Sequence, residues 1–323
     1  MPEFQEIIIG SEEAGCRTDR IVRKRLALMP LSSIYMLFRK GKILIGETRA
    51  KQDYRLKAGE VLRIAVNAAE VTPPKAADAS LSQLTGTSFF RKNFSVLYED
   101  TDLLACNKPS GLVVHPGSGH TRRDSLIDLA TAYLLQKNRT VSGEEIALVH
   151  RIDRDTSGVI LIAKNKRTLR LLHDQFRERA LTKEYLALCH GRPPGNEGTL
   201  RMQLVRSDHR SSGMKMKVQS GGSDAVSSYR VESFNGLHSR VVVLLETGKT
   251  HQIRVQLAEV KAPIIGDVRY GDETADRKLF DDKAAPRLFL HAHRLSLRHP
   301  HSGKTLTIKA PIPGEFTRLL SSS

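Results

Sequence analysis

"HRIDRDTSG", residues 150–158, places two arginines, two aspartates and a histidine in nine positions, with Ile152 as the one large apolar side chain. So polar a stretch would ordinarily be a solvated surface loop. Its flanks argue otherwise. "IALV" at 146–149 runs into it, "VILIA" at 159–163 leaves it, and both have the apolar content of strands with buried faces. The charged segment is therefore expected at the end of a sheet, held there for a purpose.

Working outward, the chain from Phe94 onward alternates many short β-like runs with few helices. "FSVLYED", "DLLACNK", "YLALCHG", "SSYRVESF", "SRVVVLLE" and "RLFLHAHRLSL" read as strands. Helical spacing predicts helices over 125–136, 165–179 and 250–260, and in the second of these Leu169, Leu172 and Phe176 share a face. Strands dominate without regular strand-helix alternation. That predicts an α+β fold built on a mixed or antiparallel sheet, not a doubly wound one.

The composition shifts near residue 68. Before it, "RTDRIVRKRLALM" and "SSIYMLFRKGKILI" give two short helical patterns, the second starting at Ser32 or Ser33 and stopping at Gly41, and "KILIG" and "GEVLRIAV" give two short strands. Residues 68–93 mix small residues with Pro73-Pro74 and show little periodicity. The expected organisation is a small α/β unit at 1–67, a linker at 68–93 and a large domain at 94–323.

A length of 323 residues suits one large and one smaller domain. No apolar run reaches the length of a membrane span, and the start "MPEFQEIIIGSEEAG" is acidic, unlike a secretory signal, so a cytoplasmic protein with no membrane partner is expected. Cys16, Cys106 and Cys189 are odd in number and far apart, which predicts free thiols. Fifty-one basic against 35 acidic residues leave a formal charge of +16, and such a surface attracts polyanions. Residues 1–67 are themselves basic, with 13 Lys and Arg against 8 Asp and Glu. With no tryptophan, stacking platforms for single strands are scarce, and shaped, partly double-stranded nucleic acid is the expected partner.

Several constellations could carry chemistry. Gly248-Lys249-Thr250 resembles the end of a phosphate loop, but position 243 is Val where that motif needs glycine, so a nucleotide triphosphatase is excluded. Lys249, His251 and Arg254 still fall at the start of an expected helix, which is either an anion site or a solvated helix face. His291, His293, His299 and His301 lack a nearby carboxylate or cysteine to complete a ligand set, and no metal is expected. Asp153 and Asp155 alternate with Arg151 and Arg154. One such aspartate suits a nucleophile or electrostatic stabiliser, and the pair suits equally an ion network pinning a loop.

"HRIDRDTSG" resembles the signature of the RluA-type RNA pseudouridine synthases, H-R-L-D-x-x-T-S-G, with Ile152 for leucine. "NKPSGLVVHPG" at 107–117, "LTKEYLALCHG" at 181–191, "TGKTHQIRVQLA" at 247–258, "IGDVRYG" at 265–271 and the C-terminal "LHAHRLSLRHPHSGKTLTIKAPIP" match further family blocks in order. "RKGKILIGETRAKQDYRLKAGEVLRI" resembles an S4 RNA-binding domain, though "SSIYMLFRKG" lacks the usual arginine after its serine and Gly46-Glu47 replaces a common Asn-Gly. The combination is most similar to the family branch acting on large-subunit ribosomal RNA.

The resemblance implies an isomerase that needs no cofactor and acts on large-subunit ribosomal RNA or its assembly intermediate as a monomer. Asp153 would correspond to the aspartate that breaks the glycosidic bond of a target uridine, so that uracil rotates and reattaches through C5. Arg254 would pair with that aspartate, and Tyr185 would pack on the flipped base. Arg151 would enter the helix where the uridine leaves, Ile253 would contact the uracil, and Lys249 and His251 would serve phosphate binding or loop structure. Lys249 stands where arginine is more common and Gln256 where histidine is frequent. A transfer-RNA synthase and a non-catalytic RNA-binding assembly factor are the competing expectations.

Overall fold

The computed structural model describes residues 4–26, 29, 31–65, 83–115, 124–137, 146–209 and 213–321. The chain divides into two compact units. One is formed from the described residues before Gly86 with Asp124, the other from 86–115 and the described residues from Ser125 onward.

In the first unit, strand β1 (Phe4–Ile8), helices α1 (Thr18–Arg25) and α2 (Leu31–Arg39), and strands β2 (Ile43–Ile45), β3 (Thr48–Arg49) and β4 (Val61–Ala65) follow in order. The sheet runs β1-β4-β2-β3, antiparallel throughout. The expected helix-helix-strand-strand order is present, with β1 added in front. "FQEII" shows no buried alternation of its own and becomes a strand because β4 offers it a free edge. Ile21 and Val22 of α1 and Ile34 of α2 close over Ile43, Leu62 and Ile64 of the sheet, while Arg20 and Arg23 face solvent.

The second unit opens with helix α3 (Ser88–Asn93), which lies inside the expected linker. Thr87 caps it by accepting from the Phe90 N–H, and Phe90 and Phe94, their tilted rings 4.9 Å apart, pack against the core, so these residues belong to the second unit. Of the expected linker, 68–82 lies outside the described residues. Then follow β5 (Val96–Glu99), β6 (Leu103–Lys108), α4 (Leu126–Lys137), β7 (Ala147–Leu148), β8 (Ser157–Ala163), α5 (Lys166–Arg177), β9 (Thr182–His190), β10 (Glu197–His209), β11 (Gly213–Val218), β12 (Ser223–Phe234) and β13 (His238–Leu245). The chain ends with α6 (Gln252–Glu259), α7 (Glu273–Leu279), β14 (Leu290–Arg298), β15 (Thr305–Lys309) and α8 (Gly314–Ser321).

These strands form one sheet in the order β11-β10-β12-β13-β9-β14-β8-β6-β5, with β15 beside β14 and β7 beside β8. Side chains alternate across β6 and β8. Leu104, Cys106, Ile160 and Ile162 enter one core with α4 and α8, while Leu103, Ala105, Leu161 and Ala163 enter a second core closed by Leu172 of α5. Every pairing is antiparallel except β14 with β8, where His291 faces Ser157 and Ala292 faces Gly158. The architecture is α+β with a mixed sheet, as expected. Cys16, Cys106 and Cys189 are free thiols.

That single parallel pairing lies where the 150–158 segment enters the sheet. Gly158 has φ +119°, and a Cβ there would lie 2.2 Å from the Ala292 carbonyl oxygen and 2.7 Å from its nitrogen. Only glycine lets β14 approach this closely.

Candidate active site

The 150–156 loop is fastened from below by the 107–112 segment. Lys108 is fully buried, and its Nζ donates to the carbonyls of Pro109 at 2.8 Å, Leu112 at 2.7 Å and Arg154 at 2.5 Å. Burial pulls this amine down to about 7, against the opposing pull of Asp155 and Asp153. Three acceptors around one nitrogen match the three protons of an ammonium group. Ser110 Oγ donates to the Asp155 carbonyl at 2.6 Å, and the Gly111 N–H to the Arg154 carbonyl at 3.0 Å. At the loop's start, His150 Nε2 accepts from the Leu161 N–H at 3.1 Å, and burial holds its ring neutral, down to about 4. Asp153 thus stands on a loop pinned at both ends.

The facing wall is the turn before α6. Gln252 Oε1 accepts from Thr247 Oγ1 at 2.8 Å and the Lys249 N–H at 3.0 Å, while its Nε2 donates to the Val226 carbonyl. This buried amide folds "TGKTHQ" so that His251 enters α6 with φ 55°. One turn on, Arg254 is 5 % exposed and lies between two carboxylates. Its Nη1 donates to Asp153 Oδ2 at 3.1 Å, and its Nε and Nη2 donate to Asp267 Oδ2 and Oδ1 at 2.7 and 2.8 Å. Asp267 also accepts from the Arg269 and Tyr270 N–H groups, and the Arg254 guanidinium lies 5.2 Å from the Tyr270 ring centre.

Between these walls lies a cavity of about 420 Å³, within the range of small-molecule sites. Asp153, Tyr185, Arg254, Arg151, Ile253, Lys249 and His251, all seven of the residues singled out in the sequence, line it. Tyr185 sits on β9 opposite Ala292 and Val243, buried, and burial together with the Asp153 charge pushes its phenol up. Ile253 is buried on α6. Arg151 and Lys249 are exposed at the rim, and their side chains have no hydrogen-bond or ion-pair partner among the described residues.

Three residues of this arrangement were not singled out in the sequence. Asp267 lies in the quoted "IGDVRYG", but nothing local shows that it reaches Arg254. Lys108 lies in "NKPSGL", where a lysine reads as exposed. Lys183, two residues before Tyr185, lines the cavity with its amine lowered by burial and by Arg179. The four C-terminal histidines hold structure. His291 meets Ser157 Oγ at 2.8 Å and His293 the Ala310 carbonyl at 2.9 Å. His299 and His301 meet Asp100 and Asp102 at 2.8 and 3.3 Å. Asp100, Asp102 and His299 bring potential ligand atoms within 4.8 Å of one another, but the Asp100 carboxylate is already taken by Tyr98 and by the N–H groups of Asp102 and Leu103. Among the described residues no helix is long and apolar enough to cross a membrane.

The chain that builds this α+β domain is similar to a class of RNA-modifying enzymes. Residues 102–259 match the family described as RNA pseudouridylate synthase. Ribosomal large subunit pseudouridine synthase C of Buchnera aphidicola subsp. Schizaphis graminum is 36% identical over 318 residues, 98% of this chain and 96% of that one. The protein of that name from Escherichia coli strain K12 is 34% identical over 322 residues, covering 99% and 96%. Among solved structures, Human RNA Pseudouridylate Synthase Domain Containing 4 shares the fold with TM-score 0.58 at 24% identity, over 76% of this chain and 96% of that one. The chain belongs to the RNA pseudouridylate synthase family.

Proposed function

We propose that this protein converts uridine to pseudouridine in large-subunit ribosomal RNA, with Asp153 as the reacting carboxylate. The observation that carries the reading is the Asp153–Arg254 contact at 3.1 Å on the floor of the cavity, in a chain alike over nearly its whole length to large-subunit synthases. In this isomerisation the N1–C1′ bond breaks, a C5–C1′ bond forms, the hydrogen on C5 leaves as a proton and N1 gains one. Attack on the sugar and removal of a sugar proton both put an Asp153 oxygen against the ribose. Arg254 fixes the direction of that carboxylate. Tyr185 and Ile253 are the surfaces between which the uracil lies, and Leu245 and Leu290 complete an apolar wall.

A base inside a helix cannot reach this cavity, so the uridine must be extruded at a cost of a few kcal/mol. Arg151, exposed at the rim with no side-chain partner among the described residues, is placed to stack where the base departs. Lys249, exposed beside it, stands where a flanking phosphate passes. The basic first unit acts as an S4-like RNA tether, and the enzyme works as a cytoplasmic monomer. Large-subunit RNA and transfer RNA, each tritiated at uracil C5, test the substrate. Tritium release from the ribosomal RNA is expected, and release from transfer RNA alone would overturn the assignment.

A further inference from the structure

One hydrogen-bonded chain at the cavity is not used by the roles given to Asp153, Arg254 and Tyr185. The Met216 N–H, on β11, donates to Tyr270 Oη at 2.8 Å. Tyr270 Oη lies 2.8 Å from His251 Nδ1. A phenol has one proton to give, and here its oxygen already accepts from Met216. Among the described residues the only acceptor for that proton is His251 Nδ1, so a Tyr270 hydroxyl that is satisfied within the protein donates to Nδ1. A neutral imidazole whose Nδ1 accepts carries its hydrogen on Nε2. Nε2 is 3.9 Å from Asp153 Oδ2, the same oxygen that accepts from Arg254 Nη1.

We propose that Tyr270 is a positioning residue that fixes His251 as the Nε2–H tautomer, so that His251 and Arg254 both hold Asp153 Oδ2 and leave Oδ1 to meet the ribose. The inference rests on Asp153 being the reacting group. The 3.9 Å separation is a contact that tightens to hydrogen-bond length when a nucleotide fills the cavity. Neutral His251 is a donor without charge, which orients the carboxylate and leaves it reactive. A protonated His251 would form a second ion pair with Asp153 and blunt it.

The surroundings keep the ring neutral. Burial lowers His251 most strongly, Arg254 and Arg269 add to this, and Asp153 and Asp267 oppose it. From β11, Lys215 lies 5.4 Å from the Tyr270 ring centre, and Arg254 lies 5.2 Å from it. Burial, together with Asp267, raises the Tyr270 phenol against the pull of the Met216 N–H, Arg254 and Arg269, so its hydroxyl keeps the proton it gives to Nδ1.

The full-length protein with ¹⁵N-labelled histidine gives the direct test. The His251 signal is expected as Nε2–H near neutral pH in the wild type and as a tautomer mixture in Tyr270→Phe. Single-turnover tritium release supplies the second readout. His251→Gln keeps an N–H close to the Nε2 position and is expected within about threefold of wild type. His251→Ala is expected to lose about tenfold or more in kcat with KM little changed, the size of one charge-assisted hydrogen bond. The wild type should lose rate in acid as His251 charges, and His251→Gln should lack that limb. An Nδ1–H tautomer in the wild type, equal losses in the Gln and Ala variants, or an unchanged acid limb would each overturn the proposal. The tautomer is read without activity, so failure of the pseudouridine reading and failure of this inference are separate results. Should Tyr270→Phe not fold, the wild-type spectrum and the two His251 variants still decide.

Discussion

Asp267 grips Arg254 with both carboxylate oxygens, at 2.7 Å to Nε and 2.8 Å to Nη2, and leaves only Nη1 for Asp153. The fork-on-fork geometry removes the guanidinium's freedom to rotate. Arg254 therefore reaches Asp153 from one fixed direction, and the side chain that sets that direction lies 13 positions further along the chain. The arginine is buried between two carboxylates, so removing either one leaves an incompletely compensated charge.

Asp267→Asn is accordingly expected to lower kcat by about tenfold to a hundredfold with a smaller change in KM, and to cost roughly 3 kcal/mol of stability. Single-turnover kinetics and urea unfolding check the two parts. Unchanged turnover would show that Asp153 does not depend on a directed Arg254.

Lys108→Met removes the donor shared by the Pro109, Leu112 and Arg154 carbonyls. A buried apolar side chain in its place takes this donor from the Pro109 and Leu112 oxygens and leaves the Arg154 oxygen with the Gly111 N–H alone, at a cost of roughly 3 kcal/mol in total. The variant should unfold at lower urea and lose turnover, because the anchor beneath the Asp153 loop is gone. A variant as stable as wild type would contradict this account of the 107–112 block.

Acid should weaken the fold through two neutral histidines. His150 and His291 are each pulled down to about 4 by burial, against a free histidine value of about 6.5. Between those values the unfolded chain holds protons that the native protein refuses. Stability therefore falls as pH drops from about 6.5 toward about 4, by at most roughly 3 kcal/mol per histidine. Urea unfolding at a series of pH values measures the slope, and His150→Gln should make it shallower.

Much of this was legible in the sequence, and the gaps have physical causes. The apolar runs "IALV" and "VILIA" announced strands with buried faces, and the seven residues picked from three separated blocks converge on one cavity. Periodicity is a local signal and served those elements well. β1 was missed because "FQEII" gains its hydrogen bonds from β4, more than 50 residues away. Residues 88–93 were read as linker because Phe90 and Phe94 show their purpose only against the core. Asp267 and Tyr270 escaped for the same reason, since their partners Arg254 and His251 are set by tertiary approach, and Lys108 escaped because burying a lysine runs against its usual preference.

Arg20 and Arg23 stand exposed on α1 with no carboxylate partner among the described residues. If the first unit tethers RNA, replacing both with alanine should weaken ribosomal RNA binding and reduce the slope of log affinity against log salt by roughly one to two, because each lost phosphate contact releases one counterion fewer. A salt titration of binding checks this, and an unchanged slope would remove these arginines from the interface.

The central claim is that Asp153 performs the isomerisation. The most direct measurement is single-turnover tritium release from C5-labelled large-subunit ribosomal RNA, with wild type and Asp153→Asn side by side and RNA binding measured for both. The account predicts release by the wild type and none by Asp153→Asn, which still binds the RNA. Release by Asp153→Asn at the wild-type rate would contradict it.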